Sequence, residues 1–109
     1  MKDDNFQVQV KTDNDSIEVI FNGQLTINYI QKIKDSVAQQ IDFSKDMVVV
    51  VDNPDNLDIT FLQLLQSLKK TAGLNKRQFS VNSKLPSELE SLVSNSGFSD
   101  LLNSNPVNN

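Results

Sequence analysis

Met47 to Val51 is an uninterrupted apolar run, MVVVV, stopped by Asp52-Asn53-Pro54. Its four consecutive valines have no alternating polar side, so the run reads as a central strand covered on both faces. Proline cannot continue a ladder, and Asp-Asn-Pro is turn chemistry, so the strand ends here. A short acidic loop follows, and an apolar-periodic helix begins near Asp58 or Thr60. A buried strand that feeds a helix across a polar loop is the unit of an open α/β sheet. Ligands and partners meet such sheets at these strand-to-helix crossings. The junction from Asp52 to Gln63 is therefore where function is expected.

The flanking segments supply the rest of the sheet. Phe6, Val8 and Val10 alternate with Gln7, Gln9 and Lys11, a half-buried strand of period two. The turn cluster Thr12 to Asp15 leads to a second strand, Ile17 to Phe21, paired with the first as a hairpin and ended by Asn22-Gly23. Ile27, Ile30, Ile33, Val37 and Ile41 recur at helical spacing, with Thr26 in capping position. After the link from Phe43 to Asp46 and the valine strand, Phe61, Leu64, Leu65 and Leu68 form the core side of a second helix. Thr60 and Gln63 have capping-box spacing, and Ala72-Gly73 closes the helix with Gly73 in a left-handed C′ position. Gln78 to Asn82 predicts a fourth strand with Phe79 and Val81 on one face. Ser87 and Glu90 form a capping box for a third helix with Leu89, Leu92 and Val93 in its stripe, ended by Gly97. Phe98, Leu101 and Leu102 predict one more short helix, and Asn103 to Asn109 a polar tail. The expectation is a single α/β domain over residues 1–102 with a tail over 103–109. It is a four-stranded, mostly parallel sheet with an N-terminal antiparallel hairpin and covering helices, in the order β-β-α-β-α-β-α-α.

Composition removes many functions. The chain of 109 residues contains no cysteine and no histidine. Thiolate chemistry is excluded, and so are the commonest general base and the commonest metal ligand. No nucleophile is paired with a base, so no enzyme activity and no cofactor or metal are expected. The net charge of −4 repels phosphate backbones, so nucleic acid is not an expected partner. The basic group Lys69, Lys70, Lys76 and Arg77 sits at a helix end, where cations complement the helix dipole. Met1-Lys2-Asp3-Asp4 lacks the apolar region of a signal peptide, and the apolar runs fall short of the ~20 residues of a membrane helix. Cytoplasmic location without membrane insertion is expected.

Three patterns, in this order along the chain, carry a family resemblance. Phe21-Asn22-Gly23-Gln24-Leu25-Thr26 looks like a strand-Gly-x-Leu turn into a helix. Asp58-Ile59-Thr60-Phe61-Leu62-Gln63-Leu64-Leu65 looks like an Asp-Ser-Ser/Thr-Gly-Leu segment after a central strand. Gly97-Phe98-Ser99-Asp100-Leu101-Leu102 looks like a Gly-apolar-x-x-apolar helix start. With their spacing these resemble the STAS domain, shared by sulfate transporters and anti-sigma factor antagonists. The resemblance implies a protein-interaction module that binds a kinase-type anti-sigma factor or the ATPase subunit of a transporter, such as a bacterial phospholipid-trafficking ABC complex. In that family the phosphoacceptor follows the Asp directly. Here Ile59 stands there, without a hydroxyl, and the next residue, Thr60, is the possible phosphosite.

The junction residues have two readings each. Thr60 is a helix cap or a regulatory hydroxyl whose phosphorylation would add about −1.5 to −2 charges beside Asp52, Asp55 and Asp58. Asp58 is a cap or the acceptor of a partner's cation. Leu57, Ile59 and Leu62 exceed what the Phe61-Leu64-Leu65-Leu68 face requires. They form either an exposed apolar patch rimmed by Asp55, Asn56 and Gln63, or, for Leu57, a staple beneath the helix. Gly23 and Gln24 complete the expected partner surface. Asp52 at a strand end also resembles the phosphoacceptor of a receiver domain, which would need magnesium held by further acids; Asp13 and Asp15 are the candidates, though they read as a hairpin turn.

Overall fold

The computed structural model describes residues 5–96. Its elements are β1 (Phe6–Thr12), β2 (Ser16–Leu25), α1 (Ile30–Gln40), β3 (Asp46–Asp52), β4 (Asn56–Leu57), α2 (Ile59–Leu74), β5 (Phe79–Lys84) and α3 (Ser87–Ser96). The strands lie in the order β1-β2-β3-β5, with the two-residue β4 pairing against β2. β1 and β2 are antiparallel, and the β2–β3, β3–β5 and β2–β4 pairs are parallel. The architecture is the expected α/β sheet with an N-terminal hairpin, plus a fifth strand, β4, too short to show periodicity. The expected short helix at 98–102, the Gly97–Leu102 motif and the tail lie outside the described residues.

Register sets the core. Val10 faces Val19 across the hairpin, Val19 faces Val49, and Val49 faces Val81. One sheet face therefore carries Ile17, Val19 and Phe21, then Met47, Val49 and Val51, then Phe79 and Val81, all buried. The buried side chains of all three helices join this cluster: Ile33 and Val37 with Ile41 at the α1 C-cap, the α2 stripe, and Leu89 and Val93. Phe21 and Phe61 meet edge-on at 5.0 Å and lock α2 to β2. The opposite face, with Ile20, Val48 and Val50, is only half-buried. The valine strand is thus central but covered on one face, not two, because the described helices all pack on the same side.

Ends and turns follow local chemistry. The hairpin turn at Asp13-Asn14 is closed by the Lys45 ammonium, which donates to the Asp13 and Asn14 carbonyls at 2.8 and 3.0 Å. Between α1 and β3, the hydroxyl and then the N–H of Ser44 donate to Asp42 and hold its carboxyl below the usual carboxylate range. Arg77 approaches Asp46 at 3.5 Å. Four expected boundaries are corrected. β2 does not stop at Asn22-Gly23 but continues to Leu25, because β4 gives its last residues a pairing partner. α1 starts at Ile30 with Tyr29 in the cap position, a turn later than Thr26. Thr26 instead accepts the Tyr29 N–H in a tight turn, which leaves Ile27 outside the helix. α2 passes through Gly73 and ends at Leu74. Lys76, at φ 59°, takes the left-handed position, with Arg77 N–H on the Ala72 carbonyl and Lys76 N–H on that of Gly73. That is a Schellman end built on lysine instead of glycine. The α3 ladder starts from the Pro86 carbonyl, ahead of Ser87.

Candidate protein-interaction surface

The surface forms where β2 and β3 end and α2 begins. At Gly23 the backbone has φ 89°, and a Cβ there would lie 2.6 Å from the Asn5 carbonyl oxygen and 2.8 Å from Phe6 Cα. Glycine lets β1 cross this point closely, and Gln24 N–H donates to that same Asn5 oxygen at 2.6 Å. Past the end of β3, Asn53 takes a left-handed φ of 46°, which asparagine tolerates better than most residues. The loop then turns back to the end of β2. Asp55 N–H donates to the Gly23 carbonyl at 2.8 Å, β4 pairs Asn56 and Leu57 with Gln24 and Leu25, and Asp58 N–H donates to the Leu25 carbonyl at 3.1 Å. An open polar cleft of about 520 Å³ lies between these segments, walled by Asn22, Gly23, Gln24, Asp52, Asn53 and Asp55.

Asp58 caps α2. Its extended backbone and the bond from Thr60 N–H to Oδ1 at 3.0 Å make it the N-cap. The Thr60 hydroxyl donates to the same oxygen. The expected Thr60–Gln63 capping box is therefore replaced by a cap two residues earlier, and the Thr60 hydroxyl serves that cap. The other carboxylate oxygen, Oδ2, accepts the N–H of Ile27 at 2.8 Å.

Of the expected apolar patch only one member is on the surface. Ile59 is 46% exposed, whereas Leu57 is 1% and Leu62 0% exposed. Leu57 is held under the helix by β4 pairing, and Leu62 belongs to a buried face broader than the expected one: Phe61, Leu62, Leu64, Leu65, Leu68 and Ala72. Leu57 and Leu62 therefore offer no side chain to a partner. In their place stands Ile27, 64% exposed and tied to Asp58. The helical spacing of Ile27 with Ile30 and Ile33 concealed it, since periodicity cannot tell a core residue from an apolar residue one turn ahead of the helix. Asp55, Asn56 and Gln63 are exposed, and Gly23 and Gln24 are half-buried.

The receiver-type acid cluster is not assembled. Asp13 and Asp15 flank the turn before β2, at the end of the sheet where β3 begins, because Ser16 pairs with Asp46. Asp52 is at the far end of the seven-residue β3, about 20 Å away at ~3.3 Å per residue. Among the described residues no group of three or more acidic side chains is placed to hold a metal ion, and no helix is long and apolar enough to cross a membrane.

No family model matches the chain, and neither does any curated protein. Its fold is similar to the crystal structure of an anti-sigma-factor antagonist, a STAS domain from Rhodobacter sphaeroides. The TM-score is 0.58 at 16% identity, over 71% of this chain and 85% of that one. The fold is STAS-like.

Proposed function

We propose that this chain is a non-enzymatic protein-interaction module of the STAS type, acting as an anti-sigma-factor-antagonist-like regulator in the bacterial cytoplasm. The observation that carries the reading is the pair of exposed isoleucines, Ile27 and Ile59, at the mouth of the β3–α2 junction. Exposed β-branched apolar side chains inside a polar rim are the anatomy of a docking site. The rim carries the exposed carboxylates of Asp52 and Asp55, with Lys84 opposite Asp52 in the β3–β5 register. A partner of matching chemistry presents an apolar pocket edged by lysine or arginine, so association quickens at low salt.

A second reading, as a subunit of a phospholipid-trafficking ABC transporter that contacts the ATPase, is favoured by one feature. Ile59 occupies the position where a phosphoacceptor is expected, and the Thr60 hydroxyl is engaged by Asp58. A constitutive subunit has no need of a free hydroxyl there, whereas a phosphorylation-released regulator uses Thr60. Capture of the tagged chain from its host, in parallel with Ile59→Asp and Ile27→Asp, tests both readings. The expected result is one protein, an anti-sigma-factor kinase or a transporter ATPase, retained by the wild type and lost from both variants. Equal retention by all three would refute the surface.

A further inference from the structure

The geometry points to Asp58 as a positioning residue that sets Ile27 relative to Ile59 and makes that spacing depend on the state of Thr60. This concerns regulation of the surface proposed above and rests on that reading for its consequence, though not for its test.

One carboxylate serves two segments 31 positions apart. Oδ2 takes the Ile27 N–H from the β2–α1 turn, and Oδ1 takes the Thr60 N–H and hydroxyl from the start of α2. The main chain of Asp58 adds a bond to the Leu25 carbonyl, so Leu25 to Ile27 is held on both sides of Thr26. N–H bonds to an ionised carboxylate are about twice as strong as neutral ones. On either side of Ile27 the turn is held by the buried Leu25 and Thr26 and by the Phe6–Tyr29 ring contact, while Ile27 itself is exposed. The turn is closed by the Tyr29 N–H on Thr26, and the α1 cap at Tyr29 receives no side-chain bond. The two exposed isoleucines thus flank the same carboxylate, Ile59 through the chain and Ile27 through a hydrogen bond.

Thr60 controls how that carboxylate is oriented. Its hydroxyl and its N–H both bind Oδ1 and so aim Oδ2 at Ile27. A negative charge at position 60 removes the hydroxyl donor, repels the carboxylate and competes with Asp58 for the N–H groups of the first helical turn. Ile27 then loses its acceptor, and the apolar pair loses its fixed spacing. Charge at Thr60 therefore acts on the surface twice, by repulsion at the rim and by release of Ile27.

Amide hydrogen exchange, read residue by residue on the free, full-length 15N-labelled chain, tests the coupling. Asp58→Asn keeps a good helix cap but leaves one acceptor oxygen where there were two. Exchange at the Ile27 amide is expected to quicken about tenfold in Asp58→Asn and in Thr60→Glu, with Val49 and Leu65 within about twofold of wild type, as for a local opening. Thr60→Val, which folds with nearly the same shape, is expected to shift Ile27 in the same direction. An unchanged Ile27 amide in these variants overturns the coupling, and so does an equal rise at Val49 and Leu65. No partner enters this measurement. Failure here therefore leaves the interaction reading standing, whereas intact coupling with no loss of capture in Ile59→Asp removes that reading alone.

Discussion

Gly23 shows how one residue can hold several contacts at once. Its φ of 89° and the 2.6 Å approach of the Asn5 oxygen leave no room for a side chain, and its carbonyl accepts the Asp55 N–H. Gly23→Ala is expected to cost about 2 kcal/mol or more, from backbone strain with the β1 contact added. Urea denaturation measures this, and wild-type stability would mean that the crossing of β1 relaxes freely. Asp58 and Thr60 show the complementary point. The residues needed for a cap were legible in the chain, but which of the two is the cap was not. Both are good cap formers, and the choice fell to Asp58 because a carboxylate has a second oxygen and Ile27 N–H needed an acceptor.

At the level of elements, α2 is wider in its buried arc than its Phe61-Leu64-Leu65-Leu68 stripe implies. At 100° per residue, the buried side chains from Leu64 to Leu62 span roughly 160°. A helix lying on a sheet with α1 against it buries more than a single stripe. Ile59 falls beyond that arc and is exposed. Leu62→Ala is therefore expected to lower stability by about 2–5 kcal/mol, and Ile59→Ala by no more than about 0.5 kcal/mol. Equal losses in chemical denaturation would contradict the assignment of inner and outer faces. β4 is the element that pattern reading could not find. Asn56-Leu57 has no period to detect, and its strand character comes entirely from the end of β2 lying alongside.

Across the whole molecule, the 36 × 33 × 18 Å extents match two layers, a sheet and its helices, not three. One apolar cluster runs from β2 and β3 through all three helices, and Phe6, Val8 and Val10 of β1 pack against it, so no part of the described fold has a core of its own. Unfolding is expected to be a single transition, with far-UV circular dichroism and the fluorescence of Tyr29 coinciding. Separated midpoints would show that the hairpin or α3 opens independently. The chain by itself determined the number of major strands, their order with the helices and the inward faces of β1 and β5, because periods of two and 3.6 are written in neighbouring residues. It also determined that chemistry based on cysteine or histidine is absent. Tertiary structure alone decided that every described helix packs on one sheet face, that Leu57 and Leu62 are core, and that the exposed Ile27 is tied to Asp58, the residue before the exposed Ile59. Those outcomes depend on what lies across space from each residue, and the bond from Ile27 to Asp58, 31 positions away, leaves no trace in local spacing.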